Sequence, residues 1–509
     1  MNKARRWGRR LLTAVLVLVV VMLLQTWAQP SKQVEVEAVA PIELAEQELA
    51  QRLAAAIRFQ TISTGKAEST DLQPFDALLQ WFEQTYPSVY QQLDARRIGA
   101  GAADLQGAST LAGPSLILTW PGSDATLKPG LFMAHLDVVP VEPGTEDDWT
   151  YPAFDGVVAD GFVWGRGALD VKSGAVALHE AIQHLLAEKL QPQRTLYFAF
   201  GHDEEVGGAA GNGAIVRWMQ DREIELEFVV DEGGFIIDGL VPELGEQPVA
   251  MIDVAEKAYC TIHLTASGDG GHSSMPPSST AVGRIAAAIH RLESNPFPIT
   301  LPPTTRAQLQ HLAPEMPFLK RVLLSNLWLT GGLVKRMMAA DPRARSLLQT
   351  TTAATMIGGG VKENVVPQQA SATVNFRLLP GTTPDDVVAH VIEVVDDSNI
   401  QVRAGLTTTP APPSSVDSAV YLAIARSTRE IHPNAVVVPA LLVGATDSRH
   451  YRELSDQVYR FTGLRLHIDD VGGFHGTDER MRVDYFADGV RIMMRMIHNL
   501  SQPLSPSGG

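Results

Sequence analysis

Apolar stretches of this sequence end in the side chains that bind divalent metals and move protons. LFMA precedes His135 and Asp137, LYFAF precedes the acidic run Asp203-Glu204-Glu205, and LEFVV precedes Asp231-Glu232. Asp170 lies in GRGALDVKSG, a glycine-rich segment typical of a loop that enters a helix. Adjacent carboxylates repel one another unless a cation neutralises them. His and carboxylate oxygens are suitable zinc ligands, so the combination indicates a metal site.

The segments that must position these residues have the pattern of an α/β fold. Between residues 41 and 255, continuous apolar runs rich in β-formers alternate with amphipathic helical stretches, which predicts a sheet covered on both faces. Such sheets bind ligands at the carboxyl ends of their strands, where the His and carboxylate residues stand. The single cysteine, Cys260, excludes a disulfide framework and a four-cysteine zinc site.

Length and charge indicate a large globular protein that does not bind nucleic acid. The chain has 509 residues, of which 45% are apolar and 19% charged, so it can bury a large core in more than one domain. Its 41 basic and 57 acidic residues give a net charge of −16. An acidic protein is a poor partner for nucleic acid, and we expect none.

The amino terminus predicts an export segment over residues 1–31. Five basic residues precede the apolar run Leu11 to Leu24, and no charge follows before Lys32. The basic cluster should stay cytoplasmic, so the rest of the chain would be exported to the periplasmic or extracellular side. Thr26-Trp27-Ala28 is a candidate cleavage site, which would give a soluble protein. The uncharged stretch is equally compatible with an uncleaved membrane anchor of roughly 20 residues.

A second pattern begins after residue 255. Strand-like segments near Tyr259 to Ala266 and Ala372 to Leu378, separated by helical stretches, predict an α+β domain over residues 256–404. Thr407 to Ser415 is rich in Pro and Thr and predicts a connector. Helix and strand patterns then resume, so residues 405–500 should complete the domain begun by residues 41–255.

Six motifs together resemble the M20 family of zinc-dependent exopeptidases and amidohydrolases. They are FMAHLDVVP, WGRGALDVKSG, GHDEEVGG, GGHSSMPP, KENVVP and GFHGTDER, and the resemblance covers residues 45–495. Within the family, the long second domain and GATDSRHY are most similar to the branch that contains carboxypeptidase S and the N-fatty-acyl-amino-acid synthase/hydrolases. The resemblance implies a zinc-exopeptidase-like catalytic domain with a mixed central sheet, interrupted by an inserted ferredoxin-like lid and dimerisation domain.

The resemblance also implies a set of site residues and two zinc ions per subunit, replaceable by cobalt or manganese. Asp170 would bridge the two ions, His135 and Asp231 would complete one site, and Glu205 and His475 the other. Glu204 would be the general base, Asp137 would orient His135, and the peptide after Asp170 would be cis. In the lid, His272 would stabilise the oxyanion, and Asn364 and Arg377 would bind the substrate carboxylate.

These expectations describe an exported di-zinc hydrolase that cleaves an amide bond next to a free carboxylate, in a peptide or an N-acyl amino acid, with a homodimer formed through the lid. Hydrolysis or synthesis of N-fatty-acyl amino acids is one alternative, and a non-catalytic binding protein on a peptidase fold is another. The apolar segment Phe318 to Met338 favours ordinary helix packing or dimer contact. An acyl-binding pocket or membrane contact remains open for that segment.

Overall fold

The computed structural model describes residues 2–37, 39–65, 70–99 and 113–504. Within them the chain divides into two compact units. The larger unit comprises Ser31–Val254, Ser414–Ala440 and Thr446–Gly509, and the smaller unit comprises Met1–Pro30, Ala255–Pro413 and Leu441–Ala445. The second domain predicted over residues 256–404 falls within the segment Ala255–Pro413 of the smaller unit.

The helices are α1 (Asn2–Ala28), α2 (Glu46–Ile57), α3 (Gln73–Thr85), α4 (Pro87–Gln92), α5 (Lys172–Ala187), α6 (Asn212–Gln220), α7 (Ala281–Ser294), α8 (Pro303–Leu312), α9 (Phe318–Ser325), α10 (Leu327–Met338), α11 (Pro342–Ser346), α12 (Pro384–Val395), α13 (Ala419–Ile431) and α14 (Val483–Leu500). The strands are β1 (Asp94–Ile98), β2 (Ser115–Trp120), β3 (Gly130–His135), β4 (Val157–Ala159), β5 (Phe162–Trp164), β6 (Leu196–Gly201), β7 (Phe228–Asp231), β8 (Ile236–Asp238), β9 (Val249–Glu256), β10 (Ala258–Ser267), β11 (Gly271–His272), β12 (Thr351–Gly359), β13 (Val365–Val366), β14 (Gln369–Leu378), β15 (Ile400–Thr407), β16 (Val436–Leu442), β17 (Val458–Arg460), β18 (Arg465–His467) and β19 (Arg480–Arg482).

A ten-stranded mixed sheet forms the centre of the larger unit. Its order is β1-β2-β6-β3-β7-β17-β9-β8-β18, with β16 beside β9. Strands β6, β3, β7 and β17 run parallel as neighbours, whereas β1 and β2 pair antiparallel. The predicted α/β class with a mixed central sheet is confirmed. Because β3, β6 and β7 are parallel neighbours, the residues that follow them meet at one edge.

Helices cover both faces of the central sheet, which explains why its strands are apolar throughout. Phe132 of β3 packs in a core with residues of α2, α5 and α14. Its neighbours Leu131 and Met133 point the other way and pack with α6. Helix α5 packs on the sheet and begins two residues after Asp170. The loop that carries Asp170 therefore lies at the sheet edge where β3, β6 and β7 end.

The smaller unit contains an antiparallel sheet of order β12-β14-β10-β15, on which α7 and α12 pack. The chain order β10, α7, β12, β14, α12, β15 with this strand order is the ferredoxin-like arrangement. The predicted α+β class of this domain is confirmed. Its core joins Cys260 and Ile262 of β10 with Ile285 of α7 and Val387 of α12.

Helix α1 is the one helix, among the described residues, that is long and apolar enough to cross a membrane. The segment Arg6–Ala28 has a mean hydropathy of 2.4 in its most apolar window, and nearly all of that window is exposed.

Candidate metal centre

His135 ends β3 and is buried. Its Nδ1 atom lies 2.9 Å from the backbone oxygen of Asp137, an acceptor, so Nδ1 carries the hydrogen and donates it. Nε2 is then left to face Asp170 Oδ1 at 3.1 Å and Glu232 Oε1 at 3.4 Å. A neutral imidazole held in this tautomer presents the Nε2 lone pair to a metal ion.

A second group of donors lies on the other side of Asp170. His475 Nε2 is 3.0 Å from Asp170 Oδ2 and 3.4 Å from Glu205 Oε2. In each of the two groups, the donor atoms lie within 4.8 Å of one another. Since the two oxygens of Asp170 face different histidines, its carboxylate has the geometry of a bridge between two cations.

The structure groups Glu232, rather than the predicted Asp231, with His135 and Asp170. Asp231 is the last residue of β7, and its two carboxylate oxygens accept hydrogen bonds from the backbone N–H groups of Glu232 and Ser448. Glu232 is the first residue beyond the strand. The carboxylate of Asp231 is therefore used to fix the backbone, whereas that of Glu232 faces the imidazole.

Asp137 holds two segments of the centre together. Its Oδ1 accepts from the backbone N–H of Glu204 at 3.1 Å and lies 3.2 Å from His135 Nδ1. Its Oδ2 accepts from the N–H of Glu205 at 3.1 Å and from the hydroxyl of Ser63 at 2.7 Å. The predicted contact with His135 is present, but Asp137 also fixes the backbone of the Glu204-Glu205 pair.

Glu479 organises the loop that carries Asp170. Its Oε1 accepts from the backbone N–H groups of Gly167, Leu169 and Asp170, and its Oε2 accepts from Arg166 Nη1 at 2.6 Å. Both charged side chains are buried. The peptide bond between Asp170 and the next residue is cis, as the resemblance predicts.

Burial and neighbouring charges shift the pKa values of several groups in the centre. Burial raises the pKa of Glu232 to about 8 and raises the pKa of Glu204 well above its usual value. Burial opposes the protonation of His135, yet Glu232 and the hydrogen-bonded Asp137 and Asp170 raise its pKa. Hydrogen bonds to Asp170 and Glu205 raise the pKa of His475 to about 10.

The donor set fits one or more divalent cations. Glu205 Oε1 is buried with no hydrogen-bond partner among the described residues, although buried carboxylate oxygens are normally satisfied. The donor atoms of the two groups are carboxylate oxygens and imidazole nitrogens, which suit zinc. Burial, and to a lesser extent neighbouring carboxylates, raise the pKa of Glu232 and Glu204, and a cation at each group would counter both effects.

Glu204 lies beside the two groups and belongs to neither. It is followed by Glu205 in the single turn Glu204–Val206, directly after β6. Arg449 Nη1 lies 3.8 Å from Glu204 Oε1. Arg449 follows Asp447, whose pKa is raised to about 7 by burial. Asp447 and Arg449 lie within GATDSRHY, one of the two features on which the resemblance to the carboxypeptidase S branch rests.

The three lid residues of the prediction belong to the smaller unit. His272 is exposed on β11, which pairs with β13, and Asn364 stands one residue before β13. Ser273 N–H donates to the backbone oxygen of Asn364 at 3.1 Å, so these two predicted residues are neighbours. Arg377 lies on β14, with its guanidinium 4.8 Å from the ring centre of Tyr259. Their approach to a substrate stays a prediction.

Sequence reasoning did not single out Ser63, the position of Glu232 beside His135, or Glu479. Glu479 was within the motif GFHGTDER, but its partners are backbone N–H groups more than 300 residues away in the chain. Ser63 lies in a segment that pairs with the residues after β3 through an isolated bridge between Ile62 and Val138. No motif near Ser63 signals this contact.

Comparison with known proteins identifies the family of this chain. The model of peptidase family M20/M25/M40 matches residues 131–499. The chain is 35% identical to "Probable carboxypeptidase S-like 2" of Dictyostelium discoideum over 97% of its length and 94% of the relative. It is 35% identical to the N-fatty-acyl-amino acid synthase/hydrolase PM20D1 of Mus musculus, over 90% of each chain. Carboxypeptidase S of Saccharomyces cerevisiae is 28% identical, over 89% of this chain and 84% of the relative.

Solved structures share the fold. The M20 family metallo-carboxypeptidase Sso-CP2 from Sulfolobus solfataricus superposes with a TM-score of 0.65 at 16% identity, over 89% of this chain and 99% of that one. Human carnosine dipeptidase 1 gives a TM-score of 0.63 at 17% identity, over 90% and 97%. The chain therefore belongs to peptidase family M20/M25/M40 and is a hydrolase of this family.

Proposed function

We propose that this protein is an exported di-zinc hydrolase that cleaves an amide bond adjacent to a free carboxylate. The observation that carries the proposal is the pair of His and carboxylate groups that share Asp170 beside the buried carboxyl of Glu204. A degenerate binding protein on the same fold would be expected to have lost donors or the base. The described residues of the centre retain both.

The proposed donors are His135, Asp170 and Glu232 at one position, and Asp170, Glu205 and His475 at the other. Glu232 replaces Asp231 in the proposal because it is the carboxylate that faces His135. When bound, two divalent cations would polarise the scissile carbonyl and lower the pKa of a water molecule.

Proton transfer is assigned to Glu204. Its carboxyl is largely buried and its pKa is raised, so it can take a proton from the attacking water and later give it to the leaving nitrogen. Its position depends on Asp137, which accepts a hydrogen bond from the backbone N–H of Glu204. Arg449, 3.8 Å away, would favour the ionised form needed to accept the proton.

The donor assignment is tested by comparing Glu232→Gln with Asp231→Asn. Metal per chain is measured by elemental analysis after gel filtration, and thermal unfolding establishes that each variant is folded. We expect Glu232→Gln to retain less metal than the wild type and Asp231→Asn to retain the wild-type amount. The reverse result would return Asp231 to the donor set.

The substrate class follows from the lid residues and from relatives. Arg377 would bind the substrate carboxylate in a bidentate manner with help from Asn364, and His272 would stabilise the oxyanion. Relatives named as carboxypeptidases support a peptide substrate. Relatives named N-fatty-acyl-amino acid synthase/hydrolase support an N-acyl amino acid, which is the second candidate.

A matched substrate panel separates the two candidates. The zinc-loaded full chain in detergent is given the N-acetyl, N-oleoyl and N-glycyl derivatives of one amino acid, together with carboxyl-amidated controls. Preference for N-glycyl substrates supports the peptidase, and preference for N-oleoyl substrates supports the fatty-acyl hydrolase. Equal turnover of amidated controls, or an unchanged KM in Arg377→Ala, would remove the carboxylate contact. Full activity of Glu204→Gln with metal bound would remove the proposed base.

Export and dimer formation complete the proposal. The basic residues before Leu11 and the apolar helix α1 support passage of the rest of the chain across a membrane. A homodimer through the smaller unit follows from the family resemblance alone. Gel filtration with light scattering measures it directly.

A further inference from the structure

The carboxyl-terminal end of α1 is held by a buried polar contact with the helices that follow α8. Asn326, between α9 and α10, is 0% exposed. Its Nδ2 atom donates to Thr26 Oγ1 at 3.1 Å and lies 3.3 Å from the backbone oxygen of Met22. Thr26 is also buried, and its hydroxyl donates to the backbone oxygen of Met22 at 2.7 Å. A buried amide with these partners fixes the position of one helix on another.

Three further hydrogen bonds extend this contact along the last turn of α1 and the residues after it. Trp328 Nε1 donates to Gln25 Oε1 at 2.7 Å, and Arg321 Nη2 donates to the backbone oxygen of Gln29 at 2.8 Å. Gln29 in turn donates to the backbone oxygen of Gln310. A signal peptide that is removed needs no such partners in the mature protein. These hydrogen bonds between the end of α1 and the helices α9 and α10 therefore indicate that α1 remains part of the mature protein.

Beside this contact, α9 and α10 expose a set of large apolar side chains, which we call the apolar lid surface. Its members, exposed by 46% to 81%, are Phe318, Leu319, Trp328, Leu329, Leu333 and Met337. The same helices bury Leu324, Leu327 and Val334, so their apolar content exceeds what packing within the smaller unit uses. Exposed apolar groups concentrated in this way mark a surface that contacts another apolar phase.

The charge around the apolar lid surface is basic, although the whole chain is acidic. Residues 318–346 contain six Lys or Arg and one acidic residue, whereas the chain has a net charge of −16. Helices with Trp, Phe and Leu on one side and Lys or Arg at the border lie in the interface of anionic membranes. Trp27, 84% exposed near the end of α1, is the type of residue that stands at the level of lipid headgroups.

We propose that the apolar lid surface rests on a lipid bilayer, beside an uncleaved α1 that crosses it. The occupant is the bilayer rather than a second copy of the chain, because the surface is continuous with a helix that is itself apolar, exposed and long enough to span a membrane. The basic border complements the phosphate groups of lipid headgroups. The inference is independent of the proposed reaction, and its test does not use hydrolysis.

The test places an environment-sensitive fluorophore on the surface in the full chain, reconstituted into vesicles of phosphatidylcholine and phosphatidylserine. Leu319→Cys and Leu333→Cys are each labelled with a nitrobenzoxadiazole group; the native Cys260 is fully buried. Ile392→Cys on α12 is the matched control, because Ile392 is 56% exposed and Leu333 is 52% exposed in the same unit. Thermal unfolding in detergent establishes that each variant is folded.

We expect the two surface labels to emit at shorter wavelength in vesicles and to lose more than half of their emission when spin-labelled phosphatidylcholine is included. The Ile392 label should change little. Quenching at Leu319 and Leu333 no greater than at Ile392 would overturn the proposal. A shift to shorter wavelength without lipid quenching would also overturn it, since that result places a second protein copy on the surface.

A second experiment tests the attachment of α1. The double variant Gln25→Cys with Trp328→Cys should be joined by a short bismaleimide reagent, because the tips of the two native side chains are in hydrogen-bond contact. Trp7→Cys with Trp328→Cys is the control pair and should not be joined. Recovery of a chain that lacks residues 1–28, or equal cross-linking in both pairs, would contradict the retained, docked helix.

Discussion

Replacement of Asp137 by Asn should weaken both metal binding and catalysis. Each oxygen of Asp137 accepts a backbone N–H, from Glu204 and from Glu205, both at 3.1 Å. Asn keeps one oxygen, so in either orientation its NH₂ group faces one of these two N–H groups. A hydrogen bond to a charged group contributes about 1.5–3 kcal/mol. Because about 1.4 kcal/mol corresponds to a factor of ten, the loss of one such bond should decrease kcat and the affinity for zinc by roughly 10- to 100-fold.

The assay measures kcat at saturating zinc and the zinc Kd by competition with a chromogenic chelator. Ser63→Ala is the matched control, because it removes one neutral donor from the same carboxylate and leaves its charge in place. The loss for that variant should be about 1 kcal/mol, less than a tenfold effect. If Asp137→Asn retains the kcat and the zinc Kd of the wild type, the carboxylate does not position the centre as argued.

Three further predictions concern stability and metal content. Glu479→Gln should lower the melting temperature through a loss of about 3–5 kcal/mol, because Arg166 is left as a buried charge without its partner; an unchanged melting temperature would contradict this. Burial lowers the pKa of His179 to about 4. Between about pH 6.5 and pH 4 the unfolded chain therefore binds a proton at this residue that the folded chain does not. The free energy of unfolding should fall by up to ~3 kcal/mol as the pH drops through that window. Melting temperatures of His179→Leu should depend less steeply on pH there, and an equal slope would exclude His179 as the source. Removal of metal with a chelator should lower the melting temperature and added zinc should restore it, since a ligand at 100 times its Kd stabilises by about 2.7 kcal/mol; a metal-free chain with unaltered melting would speak against the site.

The fold class was predictable because a strand that is buried on both faces is apolar at consecutive positions. Phe132 and Met133 point to opposite faces of β3, yet both are apolar, since helices pack on each face. The ferredoxin-like order of the second domain was not available from its residues alone and came from the resemblance. Pairing between β10 and β14 joins residues more than 100 positions apart, which no local pattern encodes.

The donors at strand ends were predictable for a similar reason, because parallel neighbours end at one edge. His135 and Glu205 do lie beside Asp170 in the structure, whereas His475 follows no strand end and was expected from the family resemblance alone. The choice between Asp231 and Glu232 was not predictable from residue type, since both are carboxylates and the backbone at the end of β7 decides which one turns toward His135. Glu479 escaped prediction because its contacts are with backbone N–H groups, which carry no residue identity.

The bridging position of Asp170 also ties the centre to the order in which the chain is made. His135, Asp170, Glu205 and Glu232 all precede the ferredoxin-like insertion, whereas His475 follows it by some sixty residues. A chain synthesised from its amino terminus therefore contains all three residues of the first group before His475 and Glu479 are made. Until then the second group lacks its imidazole, and the loop of Asp170 lacks the Glu479 oxygen that accepts from its backbone N–H groups. The second group can therefore bind a metal with all of its donors only after the two segments of the larger unit that carry them have folded together.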